Sequence, residues 1–137
     1  MLTIGKLATA TGVKVPTIRY YEQIGLLGEA ERTAGNQRRY SAAHRDRLAF
    51  IRHARELGFS VPDIAELLRL SAHPDHPCAD VERIVRDQRR AVRDRIARLT
   101  RLEAELARME GVCPGGSVAD CSVLHALGDH SQCSGAH

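Results

Sequence analysis

CADVERIVRDQRRAVRDRIARLTRLEAELARM, residues 78–109, runs for 32 positions without a Pro or a Gly. At 1.5 Å per residue such a stretch makes one helix about 48 Å long. Val85, Val92, Leu99, Leu102, Leu106 and Met109 recur at alternating steps of three and four, with Gln88 and Arg95 as polar members of the same series. That spacing is a heptad seam, the pattern of a helix that buries one narrow stripe against another helix. Its outer faces are charged, and a helix this long cannot be the centre of a chain of 137 residues. A dimer helix, parallel or antiparallel, accounts for both features.

Gly111 stops this helix, and the segment Val112 to His137 follows with four Gly, three Cys and three His. Its one short apolar stretch is Val123, Leu124 and Leu127. On the other side, Ser71 to Pro77 holds two prolines and two histidines and reads as a linker. Before the linker, Ser60-Val61-Pro62-Asp63 opens a helix through Ile64, Leu67, Leu68 and Leu70. Ser41 caps another that runs to Leu57 and ends at Gly58, with Leu48, Phe50, Ile51 and Ala54 on its apolar side. Thr3 caps a short helix carrying Ile4, Leu7 and Ala8, closed by Gly12. Pro16 opens the next, which reaches about Ile24 and stops at Gly25. Two short helices joined by a tight glycine turn have the outline of a helix-turn-helix. Gly35-Asn36, set between Glu31-Arg32 and Arg38-Arg39-Tyr40, fits a hairpin, or wing.

The expected fold is therefore all-α: mainly helical, with a small β-hairpin wing. It divides into a winged helix-turn-helix head over 1–72, a dimerisation helix over 78–110, and a C-terminal loop and tail over 111–137.

Charge separates these parts. Residues 1–55 carry ten basic and four acidic side chains, whereas from Cys78 onward there are nine of each. A basic front beside a neutral rear suggests that the front binds a polyanion. The start, MLTIGKLA, lacks the layout of a secretory signal, and no apolar run approaches the roughly 18 residues of a membrane span. A soluble, cytoplasmic chain is expected. All four cysteines (Cys78, Cys113, Cys121 and Cys133) fall in the second half. In a reducing compartment, late and clustered cysteines read as metal ligands or redox thiols before they read as a disulfide frame. No nucleophile–base or carboxylate pair stands out, so an enzyme is not expected.

Thr17-Ile18-Arg19-Tyr20-Tyr21-Glu22, followed by Ile24-Gly25-Leu26-Leu27, resembles the recognition-helix signature of the MerR family of metal- and stress-responsive bacterial regulators. Gly35-Asn36-Gln37-Arg38-Arg39-Tyr40 resembles that family's wing, and Leu57-Gly58-Phe59-Ser60 with Ile64 resembles the turn between its third and fourth helices. The likeness extends from Ile4 to about Leu127. It implies an antiparallel coiled-coil dimerisation helix and a C-terminal metal-binding loop. It also implies a homodimer that binds double-stranded promoter DNA and distorts it when an inducer arrives, so that RNA polymerase can use both promoter elements. In physical terms the energy of deforming DNA becomes a switch.

On that reading, Lys14, Thr17 and Arg19 lie at or near the start of the recognition helix and face bases or backbone. Tyr20 and Tyr21 lie near the phosphates, with one of the two in the core. Arg38 and Arg39 of the wing are phosphate clamps, and Tyr40 is partly structural. Phosphate contacts position a protein on DNA and base contacts select the site.

Cys78 stands before the long helix and Cys113 just past it, so one chain cannot bring them to one ion. In the antiparallel dimer that the resemblance implies, Cys78 of one protomer comes beside Cys113 and Cys121 of the other. Thiolates select soft or borderline ions. The loop from Cys113 to Cys121 resembles the copper-sensing branch, but copper sensors carry a serine where this chain has Cys78. The cysteine there resembles the divalent sensors. The expected ligand is a divalent soft ion, Zn(II) or Cd(II) first and Pb(II) or Hg(II) after them, with Cu(I) as the alternative. Pro114 and Val118 do not supply the extra ligands of a two-metal zinc loop. His73, His76, His125, His130 and Cys133 are candidates for a further ligand, whereas His44 and His53 read as surface or capping residues. A thiol-redox regulator keeps the same head and replaces the metal by a disulfide or a cluster. A multidrug sensor would need a larger ligand domain than the tail provides.

Overall fold

A computed structural model of the chain describes residues 1–111 and 115–128. Two compact units divide it, Met1–Ile84 and Val85–His137.

The first unit begins with α1 (Ile4–Thr11). The Thr3 hydroxyl accepts from the Lys6 amide at 3.2 Å, satisfying one of the amides a helix start leaves open. Gly12 ends it with φ +72°, and its N–H donates to the Ala8 carbonyl. A side chain there would be strained twice, because a Cβ would also stand 2.5 Å from Arg52 Nη1. Helix α2 (Val15–Gln23) has Pro16 in its first turn, where the missing N–H costs nothing. Strands β1 (Glu31–Arg32) and β2 (Arg38–Arg39) pair antiparallel, with Glu31 opposite Arg39 and Arg32 opposite Arg38. Asn36, at φ 62°, turns the chain between them. Leu2 and Tyr40 exchange backbone hydrogen bonds of 2.7 and 2.8 Å, which ties the chain start to the foot of the wing.

Helix α3 (Ala42–Glu56) opens on a reciprocal cap: the Ser41 hydroxyl accepts from the His44 amide, and the His44 ring accepts from the Ser41 amide. His44 Nε2 also lies 2.8 Å from the Glu29 carbonyl, so this histidine is a capping residue, as its position suggested. Helix α4 (Val61–Ser71) starts at Ser60, whose hydroxyl accepts from the Asp63 amide. Leu7, Ile18, Tyr40, Leu48, Ile51 and Ile64 are fully buried where these elements meet. At about 1.5–3 kcal/mol per large apolar side chain, this cluster is the main stabilising element of the head. One expectation fails here: Phe50, placed on the apolar side of α3, is 39% exposed. Leu48, Ile51 and Ala54 alone fill that side.

Helix α5 (Ala79–Met109) follows as a single 31-residue helix. Its first turns belong to the head, since Ile84 is 96% removed from solvent within the same core. In the second unit the rest of α5 keeps its apolar residues open. Val85, Val92, Ile96, Leu99 and Leu106 are 41–64% exposed. Ile96 widens the stripe beyond the heptad series read from the sequence. A 3-10 turn (Val118–Asp120) and α6 (Ser122–Gly128) complete the described residues.

Candidate nucleic-acid interface

Helix α2 and the wing frame an open groove of about 500 Å³ lined by Arg19, Glu22, Gln23, Glu29, Ala30, Arg32 and Arg38. Lys14, Arg19, Tyr20 and Arg38 are exposed and Thr17 is half-buried, so these side chains are available to a ligand. Tyr21 and Tyr40 are not: they are 8% and 0% exposed. Tyr20 packs its ring 5.9 Å from that of Tyr21, which anchors the outer tyrosine on the inner one. The expectation that one of the pair is core is met by Tyr21.

The wing arginines differ from each other. Arg39 is half-buried and tied to its own strand, donating to the Arg38 carbonyl at 2.8 Å and to Gln37 Oε1 at 2.9 Å. Arg38 reaches the other way, with Nη1 3.7 Å from Glu22 Oε2 on α2. Arg32, which the sequence did not single out, donates to the Asn36 carbonyl at 3.2 Å and lines the same groove. Tyr40, beneath the wing, has its phenol pushed up to about 12, first by burial and then by the Glu22 carboxylate.

Three further arginines of α3 hold backbone together. Arg47, Arg52 and Arg55 each donate, at 2.7 Å, to the carbonyls of Leu26, Thr11 and Phe59. These carbonyls sit where short segments end and lack helical partners, which is the usual work of a cation at such a terminus. The basic excess of the head is therefore partly structural.

Of the predicted thiols, Cys78 is exposed and immediately precedes α5, and Cys121 is half-buried before α6. Cys113, Cys133 and His130 lie outside the described residues. Among the described residues no three His, Cys, Asp or Glu side chains come together in a metal-sized group. Near Cys78, His76 Nε2 lies 2.8 Å from Asp80 Oδ2, and this contact holds the Asp80 carboxyl below its ordinary value. His125 is engaged with the Ala119 carbonyl at 3.3 Å. Glu105, on α5, was not anticipated. It is 4% exposed, and neither oxygen has a hydrogen-bond partner among the described residues; Arg108 Nη2 stands 3.8 Å away.

A helix-turn-helix flanked by a two-stranded wing, with cations and an anchored tyrosine along one face, defines a DNA-binding head. The MerR helix-turn-helix regulatory protein model matches residues 2–71, and the MerR DNA-binding model matches residues 45–109. The transcriptional regulator ZntR of Escherichia coli (strain K12) is 40% identical over 130 residues, 93% of this chain and 92% of its own length. The mercuric resistance operon regulatory protein of Pseudomonas fluorescens is 39% identical over 128 residues, covering 92% and 87% of the two chains. The solved structure of the transcription regulator PbrR691 from Ralstonia metallidurans CH34, in complex with lead(II), superposes with a TM-score of 0.80 at 35% identity. That superposition covers 93% of this chain and 99% of the other.

The chain belongs to the MerR family of helix-turn-helix transcriptional regulators. Its relatives are regulators of transcription, a class that performs no catalysis. Among the described residues no helix is long and apolar enough to cross a membrane.

Proposed function

We propose that this protein is a homodimeric regulator of metal-resistance or efflux genes that activates transcription by distorting promoter DNA when a divalent soft metal ion binds. The head over 1–72 holds the DNA through Lys14, Thr17, Arg19, Tyr20, Arg38 and Arg39, with Tyr21 and Tyr40 setting the elements that carry them. The helix over 78–110 forms an antiparallel dimer, and the segment over 111–137 supplies the metal loop. RNA polymerase occupies the same promoter.

The metal reading rests on one observation above others: Cys78, an exposed thiol, stands before a 31-residue helix while Cys113 follows it. No single chain closes a site from the two ends of a helix of that length. Each site is built from Cys78 of one protomer with Cys113 and Cys121 of the partner, so that occupancy depends on the dimer and acts on how its heads are held. The relatives whose names include mercury and lead support a soft divalent ion. Three thiolates favour Zn(II), Cd(II), Pb(II) or Hg(II) over the two-coordinate preference of Cu(I).

Anaerobic competition titrations with Zn(II), Cd(II), Pb(II), Hg(II) and Cu(I), followed by thiolate absorption, test this directly. Tight divalent binding that disappears in Cys78→Ser is the expected result. Tight Cu(I) binding indifferent to that substitution moves the protein to the copper branch and overturns the assignment of Cys78.

A further inference from the structure

Glu22 is the one acidic side chain of α2, the helix facing the groove, and it is largely closed in. Its side chain is 12% exposed, while that of its partner Arg38 is 46% exposed. The 3.7 Å separation of Glu22 Oε2 from Arg38 Nη1 is an ion pair but too long for a hydrogen bond. Glu22 Oε1 and the Tyr40 hydroxyl are both buried, and neither meets hydrogen-bond geometry with any described residue, yet they lie close enough for Glu22 to raise the Tyr40 phenol. Both groups that Glu22 faces come from the foot of the wing. Arg38 and Tyr40 are two residues apart on an extended segment, so they project to one side, and Arg39 between them projects to the other.

A carboxylate in this position is costly to keep. It is partly desolvated, its contacts with Arg38 and Tyr40 are loose, and it places a negative charge beside a groove shaped for a polyanion. What it gains is geometric. Glu22 is fixed on the recognition helix, and the Arg38 guanidinium, held from behind, keeps its outer edge open toward the groove. A guanidinium can bridge a carboxylate on one edge and a phosphate on another, and its planar fork makes that bridge directional.

We propose that Glu22 is a positioning residue that aims Arg38 and thereby fixes the register of the wing against the recognition helix, improving discrimination between DNA sites at the expense of raw affinity for DNA. This rests on the head binding DNA through α2 and the wing. Removing the charge leaves Arg38 able to reach a phosphate but lets the wing settle in several registers. Affinity for arbitrary DNA is then retained, and preference for the chosen site is lost.

The test uses the full-length dimer and two probes: a duplex selected by the wild-type protein from random-sequence DNA, and the same duplex scrambled. Glu22→Gln preserves the shape of the side chain; Arg38→Gln and the double variant complete a cycle. The ratio of the two affinities is expected to fall about tenfold in Glu22→Gln, with scrambled-duplex binding unchanged or tighter. In the Arg38→Gln background the same substitution is expected to have no further effect. The Tyr40 phenol, titrated in the free proteins, should move down from about 12 in Glu22→Gln. An unchanged ratio, or an equal loss with and without Arg38, overturns the proposal, because a merely structural role acts through neither. A wild-type protein that selects no duplex overturns the DNA-binding reading instead, and the inference with it.

Discussion

The two units of this molecule treat their apolar residues in opposite ways. In Met1–Ile84 six large side chains are fully buried, whereas in Val85–His137 Ile96, Leu99 and Leu106 are each more than half exposed. The charged residues reverse as well. In the head, Arg47, Arg52 and Arg55 close backbone carbonyls, and in the second unit a carboxylate, Glu105, is buried with no hydrogen-bond partner among the described residues. One unit is a finished core; the other leaves an apolar stripe uncovered, which on the proposed function is half of a dimer interface. An apolar stripe on a solvated helix gains by packing against another surface, and the second copy proposed above offers a self-complementary one.

The most severe way to break this contrast is to charge the stripe. Leu99→Asp is expected to weaken self-association by roughly a thousandfold or more, since in the proposed dimer it would set two carboxylates into an apolar seam. Sedimentation across a concentration series reads the change, and the head's own thermal transition should survive it. A variant that stays dimeric would mean that the stripe faces some other partner.

A smaller effect belongs to the finished core. Ile51→Ala empties a fully buried position on α3 and should cost the head about 2–4 kcal/mol. Phe50→Ala, one residue away but 39% exposed, should cost well under half of that, as denaturant unfolding of the two variants will show.

This pair also marks where the sequence was readable. The caps Thr3, Ser41 and Ser60 were legible because their reason is local: a side-chain oxygen within reach of an amide in the next turn. The long helix was legible because nothing in it interrupts the period. Phe50 misled because a helical stripe has margins, and which marginal residue turns inward depends on the neighbour it meets, here α1 and α4. The same limit hid the division of labour among the arginines. Arg39 and Arg38 are adjacent and identical in sequence, yet one is tied to its own strand and the other crosses to Glu22. Glu22 and Glu105 were invisible as buried groups, since a lone glutamate on a polar helix face carries no sign that it will be closed off from solvent.

The head's closure also has a pH signature. The Tyr40 phenol ionises at about 12 in the folded protein, against an ordinary 10.0 that the unfolded chain recovers. Between those values the unfolded state has lost a proton that the folded state keeps. Stability is therefore fully present below pH 10.0 and is lost as pH rises toward about 12, by an amount on the order of 2 kcal/mol. Thermal melts of the wild type and Tyr40→Phe between those limits should diverge, with the variant showing the shallower decline. Parallel curves would separate the alkaline loss from Tyr40.

The smallest effect is at the start of α5, still within the first unit, where the rules of helix capping meet the proposed chemistry. Three helices of the head start on an oxygen side chain, and α5 starts after Cys78, whose carbonyl accepts from the Glu82 amide at 3.0 Å. Cys78 thus occupies the N-cap of the longest helix, a position where serine is strongly preferred and a thiol is a poor acceptor. Cys78→Ser is expected to raise the stability of the metal-free protein by about 0.5 kcal/mol, through a hydroxyl that reaches an amide of the first turn. The same substitution is expected to abolish divalent binding. Calorimetry of the two apoproteins reads the first effect independently of any metal. If the serine variant is both stabler and silent, the cysteine is kept against the local preference for the sake of its thiol, as functional positions commonly are. If it is less stable, the thiol packs in a way that makes it structural, and Cys78 belongs with the finished core of the head.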